Sequence, residues 1–311
     1  MKRCYLIGMV CLLALLAILA AGCSSPGVQG AGEENTTAGD LAAFVRGAAA
    51  YAETAGTDAA LAEFGSASGR FAQGDLCVYA YGYNGTLLAH PGQSEAVGTN
   101  QENMTDIRGL PVVRIGAATA ATGGGFITYL APAREAGSAG EAYVPVLGYV
   151  APAGDTWWIG SAVSLSGTGG EAYPGPVSAM VDLVERGAAY GRDHSREAAF
   201  AEISNRTGSL VDPAGHYLYA YDYNGTLLAH PHLQAAIGSS LIERRDPFGM
   251  ENIRALRDTA QDGGGFIVFV WPNPDQGNRE ELKIGYVLPV DEDWWVGSGV
   301  YLSEITGENS R

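Results

Sequence analysis

The chain has 311 residues, with 34 acidic side chains against 18 basic ones and a formal charge of −16. No Lys/Arg cluster overrules that average, so nucleic acid and anionic headgroups are excluded as partners of the folded surface. Three of the four cysteines fall within the first 23 residues, leaving Cys77 alone in the remainder and no internal disulfide there.

Residues 1–22 read as a targeting segment. Lys2 and Arg3 form a positive start, Tyr5 to Ala21 is apolar, and LAAGC ends at Cys23 before polar Ser24-Ser25. The pattern resembles the lipobox of prokaryotic lipoproteins, which implies lipidation of Cys23 and a chain held at the extracytoplasmic face of a membrane. The alternative is an uncleaved N-terminal transmembrane anchor, since the apolar run is at the lower edge of a membrane span. Residues 23–40, rich in Gly, Ser, Thr, Glu and Ala, read as a flexible stalk.

The remainder is a duplication. YAYGYNGTLLAHP from Tyr79 returns as YAYDYNGTLLAHP from Tyr219, differing only at Gly82 and Asp222. At a fixed offset of 140, Asp106, Gly109, Arg114 and GGGF from Gly123 answer Asp246, Gly249, Arg254 and GGGF from Gly263; at 137, DTWWIGSAVSLS answers EDWWVGSGVYLS. A repeat of roughly 125 residues is the size of a small domain rather than of a solenoid unit. Residues 41–166 and 177–303 form the two units, 167–176 a linker with two prolines, and 304–311 a tail.

Each unit opens with helical spacing: Leu41, Phe44 and Val45, then Leu61 to Phe64 in the first, and Val177, Met180, Val181 and Val184, then Ala198 to Ile203 in the second. A hairpin follows, for which Asn84-Gly85 and Asn224-Gly225 predict a two-residue type I′ turn. That register places Tyr221 opposite Leu228 and Tyr219 opposite His230 on one face. Leu218, Ala220, Leu227 and Ala229 then share the other, against the opening helix. Asn84 and Asn224 also belong to glycosylation sequons, as do Asn35, Asn103 and Asn205, but backbone geometry alone accounts for an Asn in these two turns. A second helix with Ile253, Leu256 and Ala260 stops at Gly263-Gly-Gly, and strands are predicted at 265–271, 282–290 and 294–302. The order helix, strand, strand, helix, then three strands gives an α+β unit with a five-stranded antiparallel sheet.

NGTLLAHP, Asp246-x-x-Gly249, GGGF, WPNP from Trp271, Lys283-x-x-Tyr286 and DWWVGSGVY from Asp293 resemble the type 2 single Cache domain, a PAS-like extracytoplasmic sensor module. The resemblance covers nearly all of both units. The second copy carries the fuller set, because Ala131, Val146 and Ser164 stand in the first where Trp271, Lys283 and Tyr301 stand in the second. It implies two tandem PAS-like Cache domains, each a long N-terminal helix plus a five-stranded sheet, with a small-molecule pocket on one sheet face. It further implies a small metabolite as ligand, a carboxylate favoured, and a separate transducer or transporter as output, the sequence ending at Arg311 without a second apolar span.

The ligand-binding expectation falls on Tyr219, Tyr221, His230, Arg254, Trp271, Lys283, Tyr286 and Tyr301, with a weaker site at Tyr79, Tyr81, His90, Arg114 and Tyr149. Lys283 is the sharpest carboxylate donor, the alternative being a solvated edge lysine. Arg254 and Arg114 are either bidentate clamps or solvent-facing helix residues. Tyr219 and Tyr221 either line the pocket or are ordinary sheet residues, and His230 is either a ligand contact or a structural hydrogen-bonder. Alternation puts Lys283 and Tyr286 on opposite faces, so at most one points into the pocket. Trp271 and Tyr286 would supply apolar walls, while recurrence of Trp294 and Trp295 as Trp157 and Trp158 favours a core role. His230-Pro-His232 lacks a nearby carboxylate or thiolate, so no metal is expected, and no cofactor either. No nucleophile with a paired base is present, so the expectation is a non-catalytic, membrane-tethered binding protein. Its alternative is a cell-surface scaffold with vestigial pockets.

Overall fold

The computed structural model describes residues 36–74, 76–133, 143–165 and 173–307. The leader, Cys23, most of the stalk, residues 167–172 of the linker and the last four residues lie outside them.

Each copy is an α+β unit in which an opening helix covers one sheet face and a second helix the other. In the first copy these are helices α1 (Ala38–Ala55), α2 (Thr57–Phe64) and α3 (Val112–Ala121), with strands β1 (Ala72–Gln73), β2 (Leu76–Cys77), β3 (Tyr79–Gly82), β4 (Leu87–Ala89), β5 (Gly125–Pro132), β6 (Tyr143–Pro152) and β7 (Trp157–Ser164). The second has α4 (Gly175–Asp193), α5 (Arg196–Ile203), β8 (Tyr219–Asp222), β9 (Leu227–Ala229), α6 (Asn252–Gln261), β10 (Gly265–Asn273), β11 (Arg279–Pro289), β12 (Trp294–Tyr301) and α7 (Leu302–Thr306). The sheets run β4-β3-β7-β6-β5 and β9-β8-β12-β11-β10, all antiparallel. β1 and β2 pair as a separate two-stranded ribbon that the sequence pattern did not reveal.

Helix boundaries reach into segments expected to be irregular. Thr37 and Asp40 close a capping box, Thr37 Oγ1 accepting from the Asp40 amide at 3.2 Å and Asp40 Oδ2 from the Thr37 amide at 3.1 Å, so α1 begins inside the expected stalk. Pro174 and Pro176 start α4 inside the expected linker, because proline is tolerated in a first turn whose amides lack partners anyway. α7 likewise occupies part of the expected tail.

α4 buries Val177, Met180, Leu183, Val184, Gly187 and Ala188 along one stripe. A Cβ on Gly187 would stand 2.2 Å from Leu218 Cδ1, so the missing side chain lets the helix close on the residue that precedes β8. Leu218, Ala220 and Ala229 pack there with Leu183, Val184 and Ala188, as the small-face expectation required.

The hairpin differs from expectation. Gly225 has φ +80° but Asn224 does not enter the left-handed region, so the turn is a three-residue loop closed by a left-handed glycine rather than type I′. Asp222 Oδ1 accepts from the Asn224 and Thr226 amides at 2.9 and 2.7 Å, yet the first copy, with Gly82 at that position, makes the same turn, Gly85 having φ +81° and Asn84 staying out of the left-handed region. A bulge between Ala220 and Tyr221 then sets Ala220 opposite Ala229 but Tyr221 opposite Leu227. Leu227 consequently packs with the tyrosines, and Leu228 packs on the helix side.

The copies touch through Arg108 Nη1 and Asp262 Oδ2 at 2.6 Å and through Arg114 Nη1, which donates to the Phe248 carbonyl at 3.2 Å. Among the described residues no helix is long and apolar enough to cross a membrane.

Candidate functional site

The face of the second sheet turned away from α4 carries a tight cavity of about 20 Å³ that opens to solvent on one side. Tyr217, Tyr219, Tyr221, His230, Ile253, Leu256, Phe269, Trp271 and Lys283 line it. The strand period of two brings Tyr217, Tyr219 and Tyr221 onto this face. Helical spacing brings Ile253 and Leu256 down onto it from α6.

Lys283 is the decisive group. It lies on the inner strand β11, between β10 and β12, and is only 4% exposed, which removes the solvated-edge alternative. Among the described residues its ammonium has no ion pair and no hydrogen bond; Nζ stands 4.3 Å from the ring centre of Tyr301 and 5.5 Å from that of Tyr217. Burial pushes its pKa down to about 8, against the opposing charges of Glu304 and Glu281.

Arg244 is a second cation that sequence reasoning missed. Its guanidinium lies 3.7 Å from the centre of the Trp271 ring, and Nη1 is buried without a partner among the described residues. It is close enough to Tyr221 for its charge to oppose the upward push of burial on that phenol.

His230 serves two roles at once. Its Nδ1 accepts from the His232 and Leu233 amides at 2.9 and 3.0 Å, which fixes the loop after Pro231 and assigns the ring hydrogen of the neutral imidazole to Nε2. Burial, with the charges of His232 and Lys283, lowers its pKa to about 3. The pocket is therefore lined by a neutral imidazole donor, tyrosine hydroxyls and an unpaired ammonium, with an unpaired guanidinium nitrogen beside it.

The remaining expected residues are distributed otherwise. Tyr301 stands beside the cavity, its hydroxyl donating to the Pro272 carbonyl at 2.8 Å while its ring supports Lys283. Tyr286 is on the opposite face, where its ring centre is 4.9 Å from that of Phe266 and it approaches Glu185 of α4. Arg254 is also outside the cavity; it pairs with Glu251 in a groove at the junction of the copies, because it is one residue on from inward-facing Ile253 and so turned away.

In the first copy Tyr79, Tyr81 and His90 share the corresponding face, with Tyr79 and His90 stacked and His90 Nδ1 accepting from the Gly92 amide at 3.0 Å. Tyr149 is on the helix side, accepting from Arg46 Nε at 3.0 Å, and Arg114 reaches the second copy. Positions equivalent to Lys283 and Arg244 hold Val146 and Met104, so neither cation has a counterpart here. A Cβ on Gly116 would stand 2.6 Å from Trp158, whose indole presses on α3 where Leu256 lines the cavity in the second copy.

Trp158 and Trp295 are core residues in both copies. Each stacks on a tyrosine, Tyr81 or Tyr221, at 5.2 Å. Trp157 and Trp294 are buried on the other face beside Phe64 and Phe200. Asp106 and Asp246, part of the repeated motif, are turn residues whose Oδ1 accepts backbone amides of the following loop.

The family model described as single Cache domain 2 matches residues 65–164 and 176–310. Sensor histidine kinase MctS of Rhizobium johnstonii is 31% identical over 115 residues, covering 37% of this chain and 25% of the kinase, so the match spans about a quarter of that relative's length. A methyl-accepting chemotaxis protein from Vibrio parahaemolyticus is 26% identical at a TM-score of 0.33, covering 42% of this chain and 86% of its own. A Cache chemosensory domain described for carboxylic acid recognition is 25% identical at a TM-score of 0.31, covering 41% and 86%.

Proposed function

The chain belongs to the single Cache domain 2 family of extracytoplasmic, ligand-binding sensor modules, and from that premise we propose that its second copy captures a small carboxylate in the Lys283 cavity. One observation carries this reading: a buried ammonium with neither ion pair nor hydrogen bond among the described residues. A buried charge without a direct partner costs several kcal/mol, Glu304 and Glu281 offsetting only part of it, and a ligand anion is the partner that removes the rest.

The other lining groups fit the same ligand. Arg244 offers a second cation, the hydroxyls of Tyr217 and Tyr221 can donate while that of Tyr219 donates to the Ser298 carbonyl at 3.4 Å, and His230 Nε2 is a donor that stays neutral across the physiological range. Phe269, Trp271, Ile253 and Leu256 give an apolar wall that suits a short carbon chain. The narrowness of the cavity favours a small acid over an extended one. The first copy, lacking both cations, serves as a scaffold in this reading. The leader would tether the protein by Cys23, and a separate transducer or transporter would read the occupied state.

Thermal unfolding of the full chain against short monocarboxylates, dicarboxylates, amino acids and neutral amides tests the proposal. A ligand at a hundredfold excess over its Kd should stabilise by about 2.7 kcal/mol. A shift with carboxylates only, lost in Lys283→Met, supports it. No shift with any compound overturns it and favours the scaffold alternative.

A further inference from the structure

A second charged cluster lies behind the pocket wall. His216, whose side chain is 7% exposed, immediately precedes Tyr217 and stands between two carboxylates. Its Nδ1 is 2.5 Å from Asp212 Oδ2 and its Nε2 2.7 Å from Glu304 Oε2. Glu304 belongs to α7, and its other oxygen accepts from the Tyr301 amide at 2.7 Å.

An ionised carboxylate only accepts, and a neutral imidazole has one N–H. Both contacts can be hydrogen bonds only when the ring carries two protons. Without the second proton one carboxylate faces a nitrogen lone pair at hydrogen-bond distance, and that contact turns repulsive. At the aligned positions of the first copy Asp212, His216 and Glu304 are replaced by Ala72, Leu76 and Gly167, so the cluster accompanies Lys283 rather than the fold.

We propose that His216 is a proton-operated latch: doubly protonated, it clamps α7 to the wall of the second pocket through Glu304, and loss of one proton releases that clamp. Asp212 and Glu304 face the ring directly. Lys283, which also acts on Glu304, opposes protonation, while Glu281 and Asp275, which act on neighbouring Tyr301, favour it; Tyr217 and Tyr301 stay neutral, raised by burial. Burial alone would lower the imidazole pKa, but the bonds to Glu304 and Asp212 hold it above its ordinary value. A proton-independent tether remains, because Glu281 Oε1 accepts from the Ser303 amide at 2.7 Å, so release of the clamp loosens α7 without unfolding the sheet.

The test uses ligand-free full chain, so it stands or falls apart from the carboxylate reading. Hydrogen exchange of the Ser303 to Gly307 amides, corrected for intrinsic rates, is followed from about pH 5.5 to 9.5 in wild type and His216→Gln. Protection in wild type should fall at least about tenfold through one single-proton transition above the ordinary imidazole value, while β12 stays protected. His216→Gln should be weakly protected and flat. A flat wild-type profile, or the same transition surviving in His216→Gln, overturns the latch. Should that variant not fold, Asp212→Asn decides: a lowered midpoint supports the latch and an unmoved one overturns it.

Discussion

Gly299 lies directly beneath the stem of Lys283. A Cβ there would stand 2.6 Å from Lys283 Cε and 3.0 Å from the Ile284 carbonyl, and in the first copy the pair is Ala162 and Val146. Glycine and lysine therefore form one device: the absent side chain gives the ammonium its path across the sheet. Gly299→Ala is expected to destabilise by about 1–3 kcal/mol through overpacking and to abolish carboxylate-dependent stabilisation. Adding Lys283→Val should restore most of the stability and none of the binding. Thermal unfolding with and without ligand checks both; binding that persists in Gly299→Ala would refute the path.

Lys283→Met removes a charge that the empty protein holds at a cost. A lysine lowered from 10.5 to about 8 corresponds to about 3 kcal/mol of destabilisation while protonated. The cost is fully present below about pH 8 and fades as pH rises toward 10.5, where the unfolded lysine also deprotonates. Ligand-free Lys283→Met should accordingly be about 1–3 kcal/mol more stable than wild type at pH 7, with the difference shrinking above pH 8. Denaturant unfolding at several pH values reads this directly, and a less stable variant at pH 7 would contradict it.

What was legible in the sequence was the repeat, the element order and the face alternation that separates Lys283 from Tyr286. The hairpin register was not, because Asn-Gly serves two turn geometries, and both copies take the three-residue one whether Asp222 or Gly82 precedes the loop. Arg254 misled because it recurs at the fixed offset as Arg114; recurrence marked contacts at the junction of the copies rather than a pocket. Arg244 escaped notice in a loop without periodicity. The signal that finds it is the reverse one, difference between the copies: Arg244 against Met104, Tyr217 against Cys77, Leu256 against Gly116, as with Lys283 against Val146.

Arg244→Gln is expected to weaken carboxylate binding by about 10- to 100-fold, the range for a hydrogen bond to a charged group. The fold should persist, since the guanidinium has no other partner than the Trp271 face among the described residues. Calorimetric titration checks it. Arg254→Gln and Tyr286→Phe serve as controls, each expected to leave Kd within about twofold because neither lines the cavity.

Acid should unfold the protein earlier than carboxylate titration alone would require. His230 and His90 are held neutral by burial, with pKa values lowered to about 3 and about 4. An unfolded histidine takes its proton near 6.5, so between that value and the native ones the unfolded state binds more protons and stability falls with falling pH. The loss begins below about pH 6.5 and accumulates down to the native values. Two substitutions separate this from other acid effects: His90→Asn and His230→Asn should each flatten the unfolding free energy between about pH 6 and 4, additively, since the residues belong to different sheets. An unchanged slope in the double variant would assign the acid transition to the carboxylates instead.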